Sequence, residues 1–430
     1  MDRQVKNEAI KTTLKQTRDR RKSQVPVCVE LKIKTQKLSK SDYDKLQLTF
    51  TECKWLYNYL LSLEKEELMS FDTRTRDIFS LDKDGNKVER HLGLPAKFIQ
   101  SVYKNLIYSM KGLKEAKAKG RKTGKLKFKS EYNSIELNQY GNTHEVKDNR
   151  KGLIRVSGFK KPFKVFGIEQ INPSWEMANA RLIHRPSGYY ILLTCYKTKE
   201  STEHNNDGTP VGLDFGIKTS MTDSDGNTYD IRVRESERLK GLQRKLSRQV
   251  KHSNGWYRTV WKIRREHERL DARRKDKAVK VISEIKKNHD VVVIQDENIR
   301  GWHKGLFGRQ VQHSALGTIK HRLVMNENTI IVNRFFPSTK LCPECGNIHD
   351  SITLSDRTFI CPDCGYTEDR DIKAAKTILL AGLGKITSAP AEHRSTKVER
   401  MSDFSAFNNA ESSSQRSLEA GTLRVAVVHP

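Results

Sequence analysis

The chain has 430 residues, enough for two or three domains with a sizeable core. It carries 80 lysines and arginines against 52 acidic residues, a formal net charge of +28. That excess calls for a polyanionic partner: nucleic acid fits best, because each neutralised phosphate releases counterions, and an anionic membrane surface fits less well because the basic residues are spread through segments patterned for folding.

Residues 1–24 are polar and basic and read as a disordered arm that nucleic acid could order. No apolar signal core follows the N-terminus and no run approaches ~18 apolar residues, so neither a signal peptide nor a membrane span is expected, and the expected location is the cytoplasm. Val25, Val27, Val29, Leu31 and Ile33 alternate at period two, which predicts a half-buried strand over 25–35. Ser41 suits the N-cap of a helix with Leu46, Phe50, Cys53, Tyr57 and Leu60 inward, and helix is expected to fill most of 36–129. Its end, residues 117–129, has glycines that let backbone approach phosphates and Phe128 among lysines, suited to stacking on a base. Residues 130–200 read as strands, including a hairpin turned at Pro186-Ser-Gly. With the first strand they would make a small barrel into which the helices are inserted. A polar linker over 201–210 follows.

A second domain opens at Val211-Gly-Leu-Asp-Phe, a short apolar strand carrying Asp214, and returns through the hairpin signal Asp223-Ser-Asp-Gly-Asn. Residues 236–289 read as basic helices broken at Ser253-Asn-Gly, with 18 lysines and arginines against 6 acids. Trp256, Tyr257 and Trp261 at their tip point to a nucleic-acid surface. A buried strand at Val291–Ile294, a helix near 311–325 and a strand from Thr329 come next. A helix from Asp371 turns Ala374, Ala375, Ile378 and Leu379 inward. Residues 386–430 read as a disordered tail.

Cys342, Cys345, Cys361 and Cys364 form a C-x2-C-x15-C-x2-C array over 341–366. Two tight turns, each presenting a cysteine pair, supply the four soft donors of a tetrahedral structural Zn2+ site, which leaves no open position for catalysis. Cys28, Cys53 and Cys195 sit in apolar contexts and read as buried thiols.

Strand with Asp, hairpin, helices, strand ending in acids, and final helix opened by Asp is the element order of a ribonuclease-H-like α/β fold, here at 211–340 and 367–385 around the cysteine ribbon. Such a domain hydrolyses phosphodiesters with two Mg2+ ions ~3.5–4 Å apart, and hard cations require carboxylates from separated segments to converge. Asp214 and Asp371 are two of them.

Gly212-Leu-Asp-Phe-Gly-Ile-Lys218, Ile294-Gln-Asp-Glu-Asn-Ile-Arg-Gly301, the paired Cys-Pro-x-Cys turns and Asp369-Arg-Asp-Ile-Lys-Ala-Ala375 together resemble the TnpB family of transposon-encoded RNA-guided DNA nucleases, relatives of the compact type V CRISPR effectors. The similarity is specific over about 211–380 and looser over 25–200. It implies a RuvC-type endonuclease domain, and before it a wedge-like barrel (25–35 and 130–200) with an inserted helical recognition lobe (36–129). It also implies a guide RNA from the transposon end, one protein per guide, and double-stranded target DNA beside a short motif, in a prokaryotic cell. Base pairing would read the sequence, and the protein only the motif and duplex shape.

In the family pattern the second catalytic acid is a Glu directly after the apolar strand, and here that position is Gln295. Either Glu297 takes the role, since residues i and i+2 of a strand share a face, or the site is broken and the protein binds DNA without cutting. Asp214, Glu297 and Asp371 are thus the expected Mg2+ ligands. Lys373 stands where the family commonly has Asn, with a minor effect expected. Direct transposition is the weakest reading: the last helix offers Asp371 rather than Glu, and none of the 13 histidines forms a His-x-His pair.

Overall fold

The computed structural model describes residues 3–81, 85–198, 208–216, 220–326, 328–350 and 356–386. Most of the expected linker and the whole tail after Ile386 lie outside the described residues. Packing divides the described residues into two compact units, one up to Thr198 and one from Gly208 to Ile386. No described helix is long and apolar enough to cross a membrane.

The first unit begins with α1 (Arg3–Lys22), where a disordered arm was expected. The segment has no Gly or Pro and is rich in Lys and Arg, both good helix formers, so its charge did not preclude a helix. Its last turn is held by Arg20 and Arg21, each 2.9 Å from Glu176, and the Arg21 guanidinium lies 4.2 Å from the Tyr196 ring centroid. The strand β1 (Gln24–Ile33) follows, then α2 (Lys40–Ser62), capped by Ser39, whose hydroxyl accepts from the Asp42 N–H. The cap lies two residues before the expected Ser41. After α3 (Lys65–Met69) comes a hairpin, β2 (Asp77–Leu81) and β3 (Lys87–His91), inside the stretch expected to be helical. The Asp-Gly-Asn run between these strands is a hairpin turn signal, and Gly85 takes φ +84° there.

The unit continues with α4 (Ala96–Ala118), β4 (Ser134–Leu137), β5 (His144–Asp148), β6 (Leu153–Val156), β7 (Phe163–Phe166), β8 (Glu176–Arg185) and β9 (Gly188–Thr198). The seven-stranded sheet runs β4-β8-β9-β1-β7-β6-β5, antiparallel throughout. Leu31 and Ile33 of β1, Leu46 and Leu56 of α2, Phe98 of α4 and Ile191 of β9 belong to one apolar cluster, so helices and sheet share a core. Cys53 and Cys195 are buried as expected, whereas Cys28 is exposed: alternation along β1 puts it on the face opposite the buried Val29 and Leu31.

The second unit opens with β10 (Val211–Phe215), β11 (Ser220–Asp223) and β12 (Thr228–Asp230), then α5 (Glu237–Ser247) and the long α6 (Asn254–Asn288). It goes on through β13 (Val292–Gln295), α7 (Ile299–Lys304), α8 (Gly308–Gln312), α9 (Leu316–Val324) and β14 (Thr329–Val332). The cysteine segment holds β15 (Thr358–Ile360) and β16 (Thr367–Asp369), and α10 (Arg370–Gly382) closes the unit. The sheet order is β12-β11-β10-β13-β14; the first three strands are antiparallel neighbours, while β13 runs parallel to both β10 and β14.

Strand alternation sorts this sheet into two faces. Val211, Leu213, Phe215, Val292 and Ile294 join a cluster with Leu270 and Ile285 of α6 and Ile319 of α9. Val293 points the other way, toward Ile378 of α10. Gly212, Asp214 and Gln295 therefore share the α10 face. A Cβ on Gly212 would stand 2.1 Å from the Ala375 carbonyl oxygen and 2.9 Å from the Leu379 nitrogen. Only a residue without a side chain lets α10 settle so close to β10. Substituting Gly212 by Ala should destabilise this unit by about 3 kcal/mol, lowering its Tm by roughly 6–12 °C in thermal unfolding; an unchanged Tm would show that α10 does not pack at this distance.

Candidate functional site

The four cysteines come together at two similar turns. In each, a glycine with positive φ follows the second cysteine, Gly346 at +75° and Gly365 at +76°. Their N–H groups donate to the carbonyls of Cys342 and Cys361, which closes each turn. Cys342 Sγ lies 3.7 Å from Cys364 Sγ, and Cys345 Sγ lies 3.6 Å from Cys361 Sγ. A tetrahedron with Zn–S bonds of ~2.3 Å has edges of ~3.8 Å, so the cluster fits Zn2+. Burial alone would raise the Cys361 thiol, but the backbone N–H groups of Cys364 and Asp363 outweigh it and bring it down to about 6, favouring the thiolate that a metal needs. Sequence reasoning missed His349. Its ring is buried, with Nε2 placed 3.2 Å from Cys361 Sγ to donate to the thiolate and 3.8 Å from an Asp363 oxygen.

The three acids sit on separate segments. Asp214 lies on β10, on the face that α10 covers. Asp371 is in the first turn of α10, whose N-cap Asp369 accepts from the N–H groups of Asp371 and Ile372. Glu297 lies just beyond β13. Burial, then the charges of Asp371 and Glu297, raise the Asp214 carboxyl to about 7. Burial raises the Glu297 carboxyl as well, against the pull of Lys320. Asp371 stands 3.5 Å from Arg370 and 3.9 Å from Arg357. Among the described residues, only groups containing cysteine bring three or more ligand atoms within 4.8 Å of one another, so the carboxylates are charge-coupled at longer range.

Asp296 is committed elsewhere. Lys320 and Arg334 each lie 2.7 Å from its carboxylate, and although burial opposes them they hold it below the usual range. Gln295 is buried and fully engaged: its Nε2 donates to the carbonyls of Asn333, Arg334 and Phe336 at 3.2, 3.1 and 2.7 Å, and its Oε1 accepts from the Ser338 hydroxyl at 2.9 Å. Lys373 is fully buried too. Its ammonium donates to the carbonyls of Ser338, Thr339 and Leu341 at 3.1, 2.6 and 3.2 Å, and lies 4.0 Å from the Phe359 ring centroid. Burial pulls it down to about 8.

Of the aromatic residues read as nucleic-acid contacts, Phe128, Tyr257 and Trp261 are exposed, and the Arg265 guanidinium lies 5.6 Å from the Trp261 ring. Trp256 is buried instead and packs near His252, because helical spacing puts it on the opposite side of α6 from its neighbours.

Two family profiles match the chain: "Cas12f1-like, TNB domain" over residues 319–378 and "Probable transposase" over residues 193–304. A "Putative RNA-guided DNA endonuclease" of Streptomyces pristinaespiralis is 30% identical over 208 residues, 46% of this chain and 51% of that protein. A protein of the same designation, InsQ of Escherichia coli (strain K12), is 29% identical over 223 residues, 46% of this chain and 56% of that one. The chain spans about half the length of the curated relatives it matches. Over these stretches the chain is similar to proteins of the TnpB type. Among solved structures, the protein of a Cas12f1-sgRNA-target DNA complex gives a TM-score of 0.44 at 12% identity, over 83% of this chain and 99% of that one.

Against the TnpB pattern, the structure revises the reading of 295–297. The strand ends at Gln295, and the Glu297 N–H donates back to the Gln295 carbonyl at 2.8 Å, so the chain turns over Asp296. Shared facing of residues i and i+2 therefore does not apply to Glu297, whose direction is set by this turn. Lys373, expected to matter little in place of the TnpB Asn, makes three buried hydrogen bonds.

Two outcomes follow. His349→Ala should weaken Zn2+ affinity about tenfold, read by competition with a chromophoric chelator; unchanged affinity would leave the ring no part in the cluster. The raised Asp214 carboxyl favours the protonated folded state, so with no divalent cation added it subtracts stability as pH climbs from about 4 through 7. Asp214→Asn should then raise the Tm at pH 8 without added Mg2+ and make little difference at pH 4.

Proposed function

We propose that the protein is an RNA-guided DNA endonuclease of a transposable element, with a RuvC-type, ribonuclease-H-like nuclease domain at 211–340 and 367–385. The observation that carries this is the placement of Asp214 on β10, Glu297 just past β13 and Asp371 in the first turn of α10, near enough that the charges of Asp371 and Glu297 add to burial in raising the Asp214 carboxyl. The sheet order and strand directions support the fold assignment, and similarity to proteins named RNA-guided DNA endonucleases supports the activity. Asp214, Glu297 and Asp371 would hold Mg2+, and clustered carboxylates with raised proton affinity suit a dication. When bound, Mg2+ ions activate water and stabilise the leaving oxygen in phosphodiester hydrolysis. The half-buried setting of the acids limits competing water, and Arg357 and Arg370 beside Asp371 can steady an incoming phosphate.

The first unit would serve as the wedge-like barrel and recognition lobe, reading the short motif beside the target through residues within 36–180. The basic helices α5 and α6 would hold guide RNA and heteroduplex, one protein to one guide. Gln295 had motivated a guided binding protein without nuclease activity. Its side chain is used in the fold, so the nuclease reading rests on Glu297 and the binding protein stays the alternative.

The test is guide-dependent cleavage of a plasmid library by the protein co-expressed with its own downstream RNA. Asp214→Ala, Asp371→Ala and Glu297→Gln should each reduce cutting roughly 10³-fold or more while target binding persists. Asp296→Asn should keep cutting within about tenfold, because it loosens only a partly exposed ion pair. Cutting retained by Asp214→Ala would sink the assignment, and target retention without products from wild type would favour the binding protein.

A further inference from the structure

Two residues depart from the TnpB pattern, Gln295 and Lys373, and each stands two positions from a proposed metal ligand. Gln295 precedes Glu297 and Lys373 follows Asp371. Both side chains are buried and both reach the same segment, Asn333–Leu341, which leads into the cysteine ribbon. They meet at Ser338. Its hydroxyl donates to Gln295 Oε1 at 2.9 Å, and its carbonyl accepts from Lys373 Nζ at 3.1 Å. Between them the two side chains satisfy six backbone carbonyls, those of Asn333, Arg334, Phe336, Ser338, Thr339 and Leu341.

We propose that Gln295, Ser338 and Lys373 form a buried bracket that fixes the position of Glu297 relative to Asp371, which makes Gln295 and Lys373 positioning residues for the divalent-cation site. The inference rests on the reading of those acids as metal ligands. A buried polar network is rigid only while every member is paired, because an unpaired group in the interior is costly. Here the pairing is complementary in kind. The amide and the ammonium both donate to carbonyls, and a carboxylate at 295 would keep the Ser338 hydroxyl but turn its other oxygen against carbonyl lone pairs. Gln at 295 is therefore matched to this loop, and the acid is supplied two residues later, beyond the turn at Asp296. Lys373 adds a second tie: it touches Leu341, directly before Cys342, and stands over Phe359 of the ribbon's own core. The ribbon thereby braces the first turn of α10, where Asp371 lies.

The experiment measures Mn2+ affinity by electron paramagnetic resonance on the full-length, zinc-loaded chain, with zinc content and thermal unfolding followed in parallel. Gln295→Met and Lys373→Met should each raise the Mn2+ dissociation constant about tenfold, as loss of groups that orient ligands does, with one zinc per chain retained. The double variant should lose little more than either single one, because both break the same bracket. Ser338→Ala should weaken Mn2+ binding in the same direction, and Ser338→Thr, which keeps the hydroxyl, should restore it; this pair decides the matter if a methionine variant fails to fold. Wild-type Mn2+ affinity in the bracket variants, or additive losses that track Tm alone, would overturn the proposal. Asp214→Ala and Asp371→Ala separate the two claims. If they abolish Mn2+ binding while the bracket variants keep it, only the bracket fails. If they too leave Mn2+ binding unchanged, the acids are not the metal site and both claims fall.

Discussion

The second unit is organised by the approach of one helix to one strand. Where β10 carries Gly212, the backbone of α10 comes close enough that no side chain fits between them. Everything acidic depends on that contact. Two residues on along the strand is Asp214; about one helical turn back from Ala375 is Asp371. A wider gap would leave two half-buried carboxylates on separate elements, whereas here the Asp371 charge adds to burial in raising the proton affinity of Asp214. Close packing here does more than fill a core: it sets the distance over which like charges must be tolerated until a cation arrives.

The cysteine ribbon answers a different need. A segment of this size, with one three-residue strand pair and a core of Cys342, Phe359 and Cys361 with Tyr366 against it, buries too little apolar surface to hold itself together. Four thiolates around one metal supply the cross-link instead. Because α10 begins immediately after β16, the orientation of that small element is passed directly into the helix that carries Asp371. The zinc site, which has no open position of its own, thus bears on the acidic site through covalent continuity and through Lys373.

Much of this was legible in the sequence, for physical reasons. Period-two alternation in Val25–Ile33 and the apolar run at Val292–Ile294 dictate strands whatever their surroundings, and the Cys-x-x-Cys-Gly turns impose their own geometry. Asp214 and Asp371 could be picked out because one sits on a short apolar strand and the other opens the helix that follows the cysteine turns. Residues whose role depends on tertiary partners were not legible. Gln295 looks like a lost carboxylate until the three carbonyls around its amide are seen, and Lys373 looks like a solvated lysine until Ser338, Thr339 and Leu341 are seen. Charge misled in α1, where basic residues suggested disorder but intrinsic propensity and the Glu176 pairing favour a helix. The hairpin of β2 and β3 was hidden by the helical segments on both sides of it, although its Asp-Gly-Asn turn was present.

The surroundings of Gln295 bear on how such a site can change over generations. Codons for Gln and Glu differ by a single base, so a carboxylate at this position is always one mutation away. In this chain that step would set an anion against the oxygens of Asn333, Arg334 and Phe336. The direct route back to the ancestral-looking arrangement is closed unless the loop is rebuilt at the same time. If Glu297 supplies the acid, as proposed, the loop around Gln295 would hold it there by epistasis, and a site displaced by two residues would be a heritable marker of descent rather than a defect awaiting repair.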